Sequence, residues 1–207
     1  MNRRQMLRNI GIAVAASAFV SPAQALALLR CQPTNYGYNQ CEAGIDTGVL
    51  NQTVSATGWQ EYDQWCWAAC IEMVFRYYGF EVDQQRIVRE TWGSIVNMPG
   101  YPEQIMANLN RTWVDDRGRH FRSQGDQYSA NALSAAEDLA NNRPLIVGTM
   151  GHAMLLTAMM YTTNDYGHSQ LVSAVVRDPA PGQGRRLMTP QELHNVFFMA
   201  RIWVNAA

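Results

Sequence analysis

Partway along the chain the apolar residues change their period, and that change limits the folds open to it more than any other feature. From Cys66 to Tyr78, the residues Trp67, Cys70, Ile71, Val74, Phe75 and Tyr78 recur at helical spacing and Gly79 supplies a stop, which predicts a helix with one buried stripe. Shorter helices are expected from Asp83 to Trp92 with Asp83 as N-cap, from Pro102 to Asn110 with proline at its start, and from Ser129 to Asn141 with Ser129 as cap. After Arg143-Pro144 the pattern becomes one of short apolar runs, Leu145 to Thr149, His152 to Tyr161, Leu171 to Arg177 and Phe197 to Val204, several rich in β-branched residues. These read as strands. The polar turn Thr163-Asn164-Asp165-Tyr166-Gly167 joins the second and third as a hairpin, and Thr189-Pro190 opens a brief helix before the last. Helices first and strands second favour an α+β domain over a parallel α/β sheet.

The ends of the chain read differently from this body. Residues 1–25 carry Arg3, Arg4 and Arg8, then an apolar run from Ile10 to Val20 and small-residue patterns around Ala23, Ala25 and Ala27. That is the pattern of an export signal, with the paired arginines pointing to a twin-arginine type, and the run is too short to span a bilayer. Residues 26–57 are polar, without an apolar period, and are expected to form an irregular arm in which Cys31 and Cys41 pair; residues 58–207 form one domain. Removing the signal leaves thirteen basic against seventeen acidic side chains, so nucleic acid is not an expected partner. All sixteen basic side chains are arginine. A lysine-free chain offers no side-chain amine for ubiquitination, which suits a protein acting inside a host cell, although a biased genome gives the same composition.

A thiol is a useful nucleophile only as thiolate, and a helix N-terminus supplies partial positive charge that favours it. Cys66 stands where the long helix begins. His152 follows Gly151 at the mouth of an apolar strand, and Asp178, before Pro179, ends the next one. In an antiparallel hairpin the start of one strand lies beside the end of the other, so His152 is expected to serve as proton partner with Asp178 orienting its ring. An oxyanion needs donors: the backbone N–H of Cys66 and the side-chain amide of Gln60, with Gln64 as the alternative.

The run from Gln60 through Trp65-Cys66-Trp67, the Gly151-His152 strand opening and Asp178-Pro179 together resemble the papain-like cysteine peptidase superfamily. The similarity is greatest to its compact bacterial members, the bacteriocin-leader-processing peptidases and the avirulence-type secreted effectors. The resemblance implies a papain-like α+β fold and cleavage of a protein or peptide substrate through a thioester, without metal or organic cofactor. It implies catalytic roles for Cys66, His152, Asp178 and Gln60, and substrate contacts for Trp65, Trp67 and Gly151. An exported monomer, periplasmic or secreted, without membrane insertion, is the corresponding expectation. The same machinery serves deamidases and transglutaminase-like acyl transferases, and a secreted binding domain with a silent site is the non-enzymatic alternative.

Simpler readings exist for each residue. Cys66 as a buried or disulfide-bonded cysteine, Asp178 as the start of an Asp-Pro turn and Gln60 as a loop residue are the bland ones. Cys70 lies in the apolar stripe and is expected to be a core thiol. His120 is assigned to a solvated basic loop, His168 to an exposed turn and His194 to a surface helix. No recognised zinc-ligand spacing links the cysteines and histidines.

Overall fold

The structure, a computed structural model, describes residues 28–34, 37–46, 48, 58–127 and 131–206. The expected signal segment and Ser129 lie outside the described residues. Strands β1 (Leu28–Pro33) and β2 (Tyr38–Gly44) come first. Helices α1 (Cys66–Tyr77), α2 (Gln84–Trp92) and α3 (Pro102–Leu109) follow, then β3 (Thr112–Val114) and β4 (His120–Gln127), then α4 (Ala132–Ala140). The remainder is β5 (Leu145–Thr149), β6 (His152–Asn164), β7 (Ser169–Asp178), β8 (Gly184–Leu187), α5 (Pro190–His194) and β9 (Val196–Ala206).

The strands form one antiparallel sheet in the order β1-β2-β6-β5-β9-β4-β3, with β7 pairing β6 and β8. The long strand β6 organises it. One edge of β6 pairs with β5 along His152–Leu156 and with β2 along Ala158–Asn164, while β7 pairs with its other edge along Leu155–Thr163. Helix α1 lies against β6. Only Arg76 among its twelve residues escapes burial, so the expected single buried stripe is in fact burial on nearly every side. The reason is position: the sheet covers one face, and α2 and α3 cover others.

Local signals set the helix ends. Asp83 accepts a hydrogen bond from the Arg86 N–H, and Gly93 closes α2 in a left-handed conformation. Helix α4 starts at Ala132 with Asn131 accepting from the N–H groups of Leu133 and Ser134. Thr189 and Glu192 form a reciprocal capping box at α5.

The segment read as an irregular arm is a β-hairpin that extends the sheet. Cys31 and Cys41 face each other across it and are disulfide-bonded. The apolar pattern is weak here because β1 is exposed along its whole length; only Cys41 and Ala43 of β2, with Ile45 after it, enter the core, and backbone pairing to β6 and the disulfide hold the rest. Strands β3, β4 and β8 also lack a strong periodic signal, and His120, assigned to a loop, begins β4. Cys70 is a buried free thiol in the core.

Candidate active site

Cys66 is the first residue of α1, and no side chain caps that end. The first-turn N–H groups have no acceptor within the helix, so their partial positive charge is directed at the Cys66 side chain. Ahead of the helix, the loop is tied down by Trp65 and Gln60. Trp65 N–H bonds the Tyr62 carbonyl at 3.0 Å, and Gln60 N–H bonds the Pro179 carbonyl at 2.8 Å, next to Asp178.

His152 is the first residue of β6, entered by a two-residue turn whose members Met150 and Gly151 have φ of 50° and 80°. Both angles are left-handed, as a tight hairpin with right-twisted strands requires. The turn places His152 opposite Thr149. Across the site, His152 Nε2 lies 2.7 Å from Asp178 Oδ1, which leaves Nδ1 for the sulfur. The Cys66 side chain lies close enough to the ring to interact with it electrostatically, and the Ala153 N–H donates to Cys66 Sγ at 3.4 Å.

Burial disfavours the His152 imidazolium, but the hydrogen bond to Asp178 and the interaction with Cys66 outweigh it and carry its pKa up to about 9. Asp178 is only 3% exposed. Burial works against its carboxylate, yet His152, the Ala180 N–H and Arg186 hold its pKa below the ordinary value. Cys70, one turn along α1, is a contrast: burial, followed by the proximity of Cys66 and Asp178, pushes its thiol well above the ordinary value, so it stays protonated and inert.

A cleft of about 280 Å³ opens beside Cys66 and His152, with Asp63 and Gln64 at one end and Pro99, Tyr101, Ile105 and Phe197 as apolar wall. Gly100 in that wall packs directly on Trp67, where an added Cβ would stand 2.4 Å from a ring carbon. Glycine is required there for close approach.

The expected residues divide into those brought together and those not. Cys66, His152 and Asp178 converge, and Gly151 lines the cleft. Trp65 and Trp67, expected to touch substrate, are fully buried. Their indole N–H groups bond the carbonyls of Val96 at 2.8 Å and Met98 at 3.2 Å, so they anchor the loop that walls the cleft rather than lining it. Gln60 is turned onto its own loop, its Nε2 donating to the carbonyls of Tyr62 at 3.1 Å and Asp63 at 2.8 Å. Gln64 lines the cleft.

Several residues had no sequence signal. Arg186 donates from Nε to Asp178 Oδ2 at 2.8 Å and is itself held by Glu192. Its place depends on the β7–β8 register, where Arg186 sits opposite Val176, on the face shared with Asp178 two residues on. The wall formed by Pro99 to Pro102 offered one hint, a glycine between Pro99 and Tyr101.

A cysteine at a helix N-terminus facing a histidine and aspartate on an antiparallel sheet defines the papain-like class of cysteine peptidases. The chain belongs to the Peptidase_C39 like family, whose model matches residues 45–203. It is a cysteine peptidase, with peptides as the substrate class that the family implies. Among solved structures, the peptidase domain of Streptococcus ComA, a bi-functional ABC transporter involved in a quorum sensing pathway, matches with a TM-score of 0.47 and 17% identity. That match covers 72% of this chain and 96% of the domain. UfSP from C. elegans matches with a TM-score of 0.44 and 11% identity over 91% of this chain, which spans only 36% of UfSP. No curated protein matches the chain.

Proposed function

We propose that the chain is an exported endopeptidase in which Cys66 attacks the scissile carbonyl, His152 moves the proton and Asp178 orients His152. The observation that carries this reading is the His152 ring bonded to Asp178 Oδ1 in a cleft that Cys66 also lines, with the N–H of the adjoining Ala153 on the Cys66 sulfur.

The thiolate adds to the carbonyl carbon. The oxyanion is received by the Cys66 N–H and by the Gln60 amide, which exchanges its longer bond to Tyr62 for the new acceptor. The C–N bond then breaks as the imidazolium gives its proton to the leaving amine, and a thioester remains. The neutral imidazole takes a proton from water, whose oxygen attacks the thioester. Collapse releases the carboxylic acid, which gives its proton to solvent, and restores the thiolate–imidazolium pair.

The apolar wall of Tyr101, Ile105 and Phe197 favours peptides with a large apolar side chain near the cut. The signal-like first residues and the Cys31–Cys41 disulfide support export. The absence of lysine supports action inside another cell. A surface lysine that left lifetime in a eukaryotic extract unchanged would remove that last support.

The central test is incubation of the mature protein, and of its Cys66→Ala form, with a proteome, followed by sequencing of new N-termini. Cuts that need Cys66 and cluster around large apolar residues are expected. Release of ammonia without new N-termini would replace peptidase with deamidase.

A further inference from the structure

Asp178 uses both of its oxygens. Oδ1 accepts from His152 at 2.7 Å and from the Ala180 N–H at 2.8 Å. Oδ2 accepts from Arg186 Nε at 2.8 Å, with Nη2 at 2.7 Å. Glu192 grips the far side of the same guanidinium, Oε2 to Nη1 at 2.8 Å and Oε1 to Nη2 at 2.6 Å.

Nor is Glu192 a loose surface side chain. Its Oε2 also accepts from the Thr189 N–H at 2.7 Å in the α5 capping box, and its backbone carbonyl accepts from Thr149 Oγ1 at 2.7 Å. Thr149 is the residue paired with His152 across the β5–β6 turn. The contacts therefore close a ring from His152 through Asp178, Arg186, Glu192 and Thr149 back to His152. Ion pairs on open surface contribute little. This one is largely enclosed, with the Arg186 side chain 21% and Asp178 3% exposed; Asp178 Oδ2 takes both Nε and Nη2, and Glu192 holds the guanidinium through two parallel contacts, an arrangement that fixes orientation as well as charge.

We propose that Arg186, seated by Glu192, is a positioning residue for the reaction, fixing the plane of the Asp178 carboxylate and through it the His152 ring against the Cys66 sulfur. The inference rests on reading Cys66, His152 and Asp178 as the reacting unit. With Oδ2 held by Nε and Nη2 and Oδ1 by the Ala180 N–H, one carboxylate orientation presents Oδ1 to Nε2. The groups facing Asp178 are His152 from β6, Arg186 from β8 and the Cys70 thiol from α1, with Cys66 of α1 acting on His152 and Glu192 of α5 behind the arginine. Without Arg186, two carboxylates that share its Nη2 confront each other with no cation between them. Like charges so placed drive one to turn away or to take a proton.

The test uses the intact chain with Arg186→Met, Arg186→Lys and Glu192→Gln, each checked for folding by circular dichroism. The readouts are the rate of Cys66 alkylation by iodoacetamide across pH and the downfield ring N–H resonance of His152. In Arg186→Met the alkylation rate at about pH 6 is expected to fall ten- to a hundred-fold, as misplacement by about 1 Å can cause, and the resonance to move or broaden. Lysine, which restores charge but not the fork, recovers part of both. A structural role alone would lower the melting temperature and leave the alkylation profile and the resonance of the folded protein unchanged; that result overturns the proposal. If Arg186→Met does not fold, Arg186→Lys and Glu192→Gln are read by the same criteria. A wild-type protein that cuts no peptide, yet loses Cys66 reactivity in these variants, would sink the peptidase reading and leave the clamp standing.

Discussion

Replacing Asp178 by Asn tests the electrostatics of the site most directly, because the side chain keeps its shape and an acceptor while the charge is removed. Asp178 and Cys66 push the His152 pKa up to about 9 from an ordinary value of 6.5, against the opposing effect of burial. That difference corresponds to about 3 kcal/mol at 1.36 kcal/mol per unit, shared between Asp178 and Cys66. Removing the carboxylate is expected to cost on the order of 2 kcal/mol of that preference and to bring the titration down to about pH 7–7.5. At about pH 8 the imidazolium population would then fall from roughly 90% to roughly 10–25%. Proton donation to the leaving amine would fail in the same range. The measurement is an NMR titration of the His152 ring in both proteins, beside the pH dependence of Cys66 alkylation. The sign of the stability effect follows separately. A raised histidine pKa stabilises fully below about 6.5 and loses its effect as pH rises through about 9, whereas the lowered Asp178 pKa stabilises above about 3.9 and loses its effect as pH falls through its folded value. Wild type and Asp178→Asn should differ most in melting temperature between about pH 4 and 6.5, and the difference should shrink as pH rises through about 9 to the part that Arg186 and the Ala180 N–H supply. A His152 midpoint that stays near 9 in the Asn variant would refute this account of the pair.

Three further outcomes follow from the geometry. Gly100→Ala forces a Cβ to 2.4 Å from the Trp67 ring, so thermal unfolding should show a loss of about 1–3 kcal/mol; an unchanged melting temperature would mean the loop is not packed as described. Gln60→Ala should lower kcat about 10²-fold with Cys66 alkylation preserved, and Gln64→Ala should not; the reverse order would move the oxyanion donor to Gln64. Replacing Cys31 and Cys41 by serine opens a loop of sequence separation 10 and should cost about 2–3 kcal/mol by loop entropy. Alkylation of Cys66 should be untouched, because Cys41 pairs with Tyr161, nine residues and about 30 Å along β6 from His152.

How much of this was legible in the chain depended on the range of the interaction involved. Helix ends written in adjacent residues, such as Asp83, Pro102 and Thr189, were readable because the cap and the group it satisfies lie within one turn. The inner strands β5, β6, β7 and β9 were readable because burial imposes an apolar pattern, and Cys66, His152 and Asp178 stood out as candidates because the proposed chemistry restricts residue type. The order of those elements alone led to an α+β domain with Cys66 at a helix start.

Tertiary structure decided the rest. The hairpin of β1 and β2 pairs largely through backbone groups that every residue carries, and its buried alternation is only Cys41, Ala43 and Ile45, too short to announce a strand. Trp65 and Trp67 moved from substrate wall to buried anchor because their acceptors, the Val96 and Met98 carbonyls, lie some thirty residues away. Arg186 reached Asp178 only through the β7–β8 register, and Glu192 reached Arg186 only through the placement of α5. A charged side chain has the same appearance in sequence whether it is solvated or clamped; the difference is made by which distant partner the fold brings within hydrogen-bonding distance.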